Sequence, residues 1–257
     1  MGYRERVLPA SRHGEIIRLV RSSGVVSVEA LAENLGVSRS TIRRDLQCLD
    51  AEGTLRRVRG GAGRVPDDDL VPFREVAAVG AGDKQRVAER AAEYVVDGDV
   101  VLIDIGTTTA RLARQLHGRR ITVITSSLAV VDELRDDAAV ELLVLGGILR
   151  RNYLSLVGML TEQALREVRA NRLFLGTSGV RPTGQVMDTT LVEVPVKRAM
   201  IAAAEQTILL ADRAKFPGIG LVPVCGPEDV DVVVTNDGAD PATLVTCAEA
   251  GTEVALV

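Results

Sequence analysis

Residues 38–50 read SRSTIRRDLQCLD, and the reading of this stretch decides what the chain around it is. Ser38 stands where an N-cap belongs, its hydroxyl able to accept from a free N–H of the first helical turn. Ile42, Leu46 and Leu49 recur at i, i+4 and i+7 and make one inward face. Ser40, Thr41, Arg43, Arg44 and Gln47 occupy the other side, with Ser38 and Arg39 at its start. Such side chains donate to phosphates and to base edges in a major groove. A surface helix with a solvated arginine face would show the same pattern, so the neighbouring segments must decide.

Upstream, Ser11–Arg21 places Ile16, Ile17 and Val20 on one face, and Ser23-Gly24 closes that helix. Ser27 then caps a second helix in which Val28, Leu31, Ala32 and Leu35 follow i, i+3, i+4, i+7. Gly36-Val37 supplies a tight turn into the stretch quoted above. Helix, glycine turn, helix is a helix-turn-helix pattern. Downstream, Glu52-Gly53 turns the chain, and 54–59 reads as a short strand or hairpin ending at Gly60-Gly61-Ala62. Arg56, Arg57, Arg59 and Arg64 fall within nine residues that hold no acid. Directly after a helix-turn-helix, such a run reads as a basic wing along a nucleic-acid backbone.

Charge divides the chain the same way. The net charge is −4, but residues 1–64 hold 12 arginines against 7 acidic residues, a net of +5. The remaining residues are therefore −9, so only the first part suits a polyanion. At 257 residues the chain has room for two domains and a sizeable core. Its three cysteines, Cys48, Cys225 and Cys247, form no CxxC pair, which fits a reducing cytoplasm. Two isolated histidines give little support to a metal site, and none is expected. No signal peptide or membrane-spanning run is visible.

The expected organisation is a reader domain over residues 1–62, a linker over 63–82 and a larger domain over 83–257. The linker carries two prolines, three consecutive acids and three glycines, with Phe73 and Arg74 available to dock it. Asp83 is expected to cap a helix over 83–96. From there helices alternate with short apolar strands at 100–103, 121–124, 140–145, 173–175, 208–210, 232–234 and 254–257. That alternation predicts an α/β domain with a mainly parallel sheet. Helices are expected near 108–116, 127–135, 161–169, 190–204 and 241–249.

In such sheets ligands gather beyond the carboxyl ends of the strands. Five strand ends carry polar or glycine-bearing loops: 104–109 (Asp104, Gly106, Thr107, Thr108, Thr109), Thr125-Ser126-Ser127, Gly146-Gly147 followed by Arg150, 176–179 ending at Gly179, and 212–216 with Lys215. Each loop alone has a bland reading as a turn. Together they describe a polar pocket with donors for a phosphate at the start of the 108–116 helix and with Asp104 as acceptor for a hydroxyl. Only three lysines occur among 31 basic residues; Lys215 is the candidate ligand contact, and Lys84 and Lys197 are read as structural or near the rim.

The segment RHGEIIRLVRSSGVVSVEALAENLGVSRSTIRRDLQCLDAEGTLRRVRGGA, residues 12–62, resembles the winged helix-turn-helix of the DeoR family of bacterial transcriptional regulators. The stretches 83–109, TVITSS (122–127), LLVLGGILRR (142–151), LFLGTSGV (173–180) and ADRAKF (211–216) resemble that family's C-terminal sensor domain. Family members commonly carry His where Arg59 stands and often Asn where Ser126 stands. The resemblance implies a sensor fold similar to sugar-phosphate isomerases, with the 104–109 loop holding a phosphate and Lys215 approaching the ligand. It further implies a double-stranded DNA operator, a phosphorylated sugar as effector, no cofactor and no catalysis. A homo-oligomer, dimer or tetramer, is expected because one winged domain covers little DNA. The alternative is an aldose–ketose isomerase with an appended reader module, for which Asp104 and Glu193 are available carboxylates.

Overall fold

The computed structural model describes residues 9–23, 25–51, 55–58, 60–64 and 73–257, which fall into two compact units divided between Asp67 and Asp68. In the first unit the order is α1 (Pro9–Ser23), β1 (Val25–Ser27), α2 (Val28–Leu35), α3 (Arg39–Ala51), β2 (Leu55–Val58) and β3 (Gly61–Arg64). Ser27 caps α2, its side chain accepting from Ala30 N at 3.1 Å. Gly36 closes α2 at φ 64°, a left-handed conformation that a side chain would oppose. Ile16, Val20, Leu31, Ile42, Leu46 and Leu49 meet in one core, as the helical spacings require. The wing is larger than a hairpin: β1, an unanticipated strand, pairs antiparallel with β3, giving the order β1-β3-β2.

One buried ion pair fastens α3 to α1. Asp45 receives Arg12 Nε at 2.6 Å, Arg12 Nη2 at 2.9 Å and His13 Nε2 at 3.1 Å. Burial pushes the Asp45 carboxyl up, but the bonds from Arg12 and His13 outweigh it, and its pKa lies below the usual value. A lowered carboxylate pKa stabilises the fold above the ordinary value of about 4, and that stabilisation is lost as pH falls through the lowered one. Asp45→Asn is expected to weaken protection of the α1 and α3 amides against hydrogen exchange by about 2–3 kcal/mol. Unchanged exchange in both helices would show that the pair contributes nothing.

The second unit runs α4 (Phe73–Ala78), α5 (Ala81–Ala92), β4 (Val100–Ile103), α6 (Thr107–Gln115), β5 (Thr122–Thr125), α7 (Leu128–Leu134), β6 (Glu141–Val144), β7 (Ile148–Arg150), β8 (Ser155–Val157) and α8 (Met159–Arg166). It continues with β9 (Ala170–Gly176), β10 (Gly179–Val180), β11 (Val186–Asp188), α9 (Val194–Ala203), β12 (Ala204–Leu210), β13 (Val222–Cys225), β14 (Val232–Thr235), α10 (Pro241–Glu249) and β15 (Glu253–Leu256). Seven strands form a parallel sheet in the order β15-β14-β12-β9-β4-β5-β6. Residues alternate between two cores, one on each face: Leu102, Leu173, Leu175 and Leu209 in one, Val101, Ile103, Phe174 and Ile208 in the other. Among the described residues no helix is long and apolar enough to cross a membrane.

Two expectations need correction. Of the expected linker 63–82, Gly63-Arg64 end β3 and residues 73–82 belong to the second unit; residues 65–72 lie outside the described residues. Phe73 is docked through its N–H to Asn152 O at 2.9 Å and edge-on against Tyr153. The helix expected from Asp83 begins earlier, behind Gly80 at φ 63°, so Asp83 sits inside the first turn and bonds Arg213 at 3.0 Å instead of capping. The antiparallel sheet β10-β11-β13 and the hairpin β7-β8 were not anticipated. Both are excursions from strand ends, and both build the site described next.

Candidate functional site

The chain runs outward through β4, β5 and β6, then returns to the other side of β4 and runs outward again through β9, β12, β14 and β15. The reversal therefore falls between β4 and β9, where an open parallel sheet leaves a crevice at its carboxyl edge. A cleft opens there, lined by Gly106, Thr107, Thr108 and Thr109 after β4, by Gly176 at the end of β9 and by Thr177 and Ser178 after it. Lys215 reaches it on a single 3-10 turn, Arg213–Lys215, whose start is capped by Asp212 accepting from Ala214 N at 3.0 Å. Lys84 lines it from α5 and donates to Val76 O at 2.7 Å, which brings α4 to the rim.

The rest of the lining comes from the excursions: Arg150 and Tyr153 from the β7-β8 hairpin, and Asp188, Thr190, Glu193 and Lys197 from β11 through α9. Lys197 is 2% exposed and is bonded to Asp104 Oδ2 and, at 3.0 Å, to Gly176 O; Asp188 Oδ2 lies 3.6 Å away. Burial alone would lower the Lys197 pKa, but Asp104 first, then Asp188 and Glu193, raise it, and the ammonium stays charged. Arg150 pairs with Glu193 Oε1, which also accepts from Ser155 Oγ at 2.7 Å. Burial pushes the Glu193 carboxyl up from its ordinary value, against the pull of Ser155 and Arg150. The guanidinium of Arg150 lies over the Tyr153 ring at 5.6 Å.

Of the residues expected to contact an effector, Gly106, Thr107, Thr108, Thr109, Arg150 and Lys215 line the cleft. The others do not. Asp104 lies beneath it, fully buried, accepting from Gly176 N at 2.9 Å and from Lys197. Thr125 is used internally, donating to Ile103 O at 2.7 Å and accepting from Ser127 N at 3.0 Å, while Ser127 caps α7. Ser126 is buried beside them. Gly146 O accepts from Thr161 Oγ1 at 2.6 Å; Gly147 and Gly179 lie where a Cβ would collide with Val157 and with Gly218-Ile219. Gly147 and Gly179 serve close packing. Reading by strand ends missed Tyr153, Asp188 and Thr190 and placed Lys197 away from the centre. One signal was available: Glu193 and Lys197 stand one helical turn apart amid Val194, Val196 and Met200, so charge falls on an apolar face.

The first unit presents a second candidate surface. Ser38 caps α3, accepting from Thr41 N at 3.1 Å. Ser40, Arg43, Arg44 and Gln47 are exposed at i, i+3, i+4 and i+7, one stripe opposite the buried Ile42, Leu46 and Leu49. Arg39 is exposed near Glu29, at 3.5 Å, and Thr41 is half-buried. On the wing, Arg57 is exposed, with its N–H bonded to Asp50 Oδ1 at 2.8 Å, and Arg56 lies on the same strand. Arg59, also expected at this surface, lies outside the described residues. Stripe and wing offer guanidinium and hydroxyl donors of the kind that contact phosphates and base edges.

Comparison with known proteins matches the family model described as "DeoR-like helix-turn-helix domain" to residues 12–67 and "DeoR C terminal sensor domain" to residues 80–237. The chain is 31% identical over 239 residues to the uncharacterized HTH-type transcriptional regulator YulB of Bacillus subtilis, covering 93% of each chain. It is 33% identical over 230 residues to the glycerol-3-phosphate regulon repressor of Haemophilus influenzae, covering 88% of this chain and 89% of that one. Among solved structures, ribose 5-phosphate isomerase A from Methanocaldococcus jannaschii superposes with a TM-score of 0.38 at 18% identity, covering 51% of this chain and 52% of that one.

Proposed function

Because the chain belongs to the DeoR family of transcriptional regulators, we propose that it represses a sugar-metabolism operon and releases its operator when a phosphorylated sugar fills the cleft of the second unit. The observation that carries the effector half is the lining itself. A helix start with three threonines, Thr107–Thr109, shares one cleft with Lys84, Lys215 and Arg150. Helix amides and cations together suit a phosphate, and the surrounding hydroxyls and carboxylates suit a polyol. The relatives point the same way, since one of them is named for a glycerol-3-phosphate regulon. The protein works as a homo-oligomer in this reading, because one winged unit buries too little DNA for specific recognition. Occupation of the cleft then shifts the balance between arrangements that match and mismatch two half-sites. In this reading the cleft binds without turnover, which is supported by Asp104, the carboxylate nearest the end of β4, being held by Lys197 and Gly176 N.

A thermal-shift screen tests the effector half. The chain has no tryptophan, so an added dye or calorimetry reports the melt. Phosphorylated sugars at about a hundredfold excess over Kd are expected to raise Tm by about 5–10 °C, and their unphosphorylated forms to leave it unmoved. Thr108→Ala and Lys215→Ala each reduce the shift. A melt that no phosphosugar moves, or chemical conversion of the sugar during incubation, overturns the proposal.

A further inference from the structure

The carboxylate of Glu193 is only half used. Its Oε1 takes both Arg150 and Ser155 Oγ, while its Oε2 is buried with no hydrogen-bond partner. The residue is 1% exposed and lines the cleft. Asp104 Oδ1, just beneath, is likewise buried without a partner. In the cluster these groups form, three carboxylates (Asp104, Asp188, Glu193) face two cations (Lys197 and Arg150). A buried acceptor left unpaired costs free energy, and a hydroxyl donor would remove that cost. A second anion in the same place would add to it.

We propose that Glu193 is the specificity-determining residue of the cleft, accepting from a hydroxyl of the bound molecule and rejecting a carboxylate or second phosphate there. The proposal rests on the reading of the cleft as a phosphosugar site and narrows it. The effector is a monophosphate whose far end carries neutral hydroxyls, and phosphorylated sugar acids and bisphosphates are excluded. Lys197 does not relieve this exclusion, since its ammonium is already shared among Asp104, Gly176 O and Asp188.

Matched pairs of probes test this by calorimetry on the full chain: glycerol 3-phosphate against 3-phosphoglycerate, glucose 6-phosphate against 6-phosphogluconate, fructose 6-phosphate against fructose 1,6-bisphosphate. Whichever pair contains a ligand, the neutral-ended member is expected to bind at least about tenfold tighter. Glu193→Gln keeps the shape and a bond from Ser155 while removing the charge. It is expected to weaken the monophosphate about tenfold and to close the gap within the pair. If the acid or bisphosphate binds the wild-type protein as tightly as its partner, Glu193 does not discriminate and this inference falls, leaving the phosphosugar reading intact. If none of the six probes nor inorganic phosphate binds, the phosphosugar reading itself falls. The wild-type comparison decides between these outcomes even where the variant fails to fold.

Discussion

Lys197→Met is expected to lower the unfolding free energy of the second unit by about 3–5 kcal/mol. The side chain is about the right length, so packing changes little; what changes is charge. Lys197 holds Asp104, lies 3.6 Å from Asp188 and is 2% exposed. Without it two buried carboxylates lose the cation they share. Guanidinium unfolding followed by circular dichroism reads the loss as a lower midpoint at unchanged slope. Adding Asp104→Asn to Lys197→Met removes one of the stranded charges and recovers part of the loss. A single variant costing less than about 1 kcal/mol would show that water or a rearranged partner replaces the ammonium. The pH dependence has a definite sign. The Lys197 pKa is raised on folding, so its contribution is complete below the ordinary lysine value of about 10.4 and is lost only as pH rises through the higher folded value.

Operator binding is expected to fall about 30- to 1000-fold in the double variant Arg43→Ala, Arg44→Ala, at about 1–2 kcal/mol for each contact. Both side chains are exposed on the α3 stripe, and the face that holds the unit together, Ile42, Leu46 and Leu49, is untouched. Circular dichroism should therefore be unchanged while binding to a DNA fragment selected by the wild-type protein collapses. The salt dependence separates the two roles an arginine can have. Losing two phosphate contacts flattens the slope of log K against log salt by about 2, whereas losing base contacts leaves the slope and relaxes sequence preference. Unchanged affinity would remove α3 from the recognition surface.

How much of this was legible follows from the range of the interactions. The first unit is built from helical periodicity and caps, all within a few residues, and its three helices and wing could be read from Ser27, Gly36 and Ser38 outward. β1 escaped, because the three residues Val25–Ser27 are strand by virtue of pairing with β3 almost forty positions later, and so did β3, whose Gly61-Ala62 were read as the end of the hairpin and whose Gly63-Arg64 were read as linker. The parallel strands were visible as apolar runs, since both faces of the sheet are buried along its inner strands β14, β12, β9, β4 and β5. In the cleft, the loop Gly106–Thr109 announced itself by composition. The partnership of Arg150 with Glu193 spans 43 positions and that of Asp104 with Lys197 spans 93, and no local pattern encodes either. Asp104 was placed at the right strand end yet assigned to the ligand, because sequence shows that a carboxylate is there and not that an ammonium has already claimed it.

The short helix α4 is the first described element of the second unit. Val76 lines the cleft and accepts from Lys84, Ala77 O accepts from Arg111 at 3.1 Å, and Phe73 rests on Tyr153, itself a lining residue. The cleft is thus walled in part by the leading end of its own unit. Influence passing along that end is a free-energy coupling, and such coupling is reciprocal. If the cleft takes the effector proposed above, whatever factor that molecule imposes on the grip for DNA, DNA imposes on the grip for it, and the promoter then sets the concentration at which the protein responds.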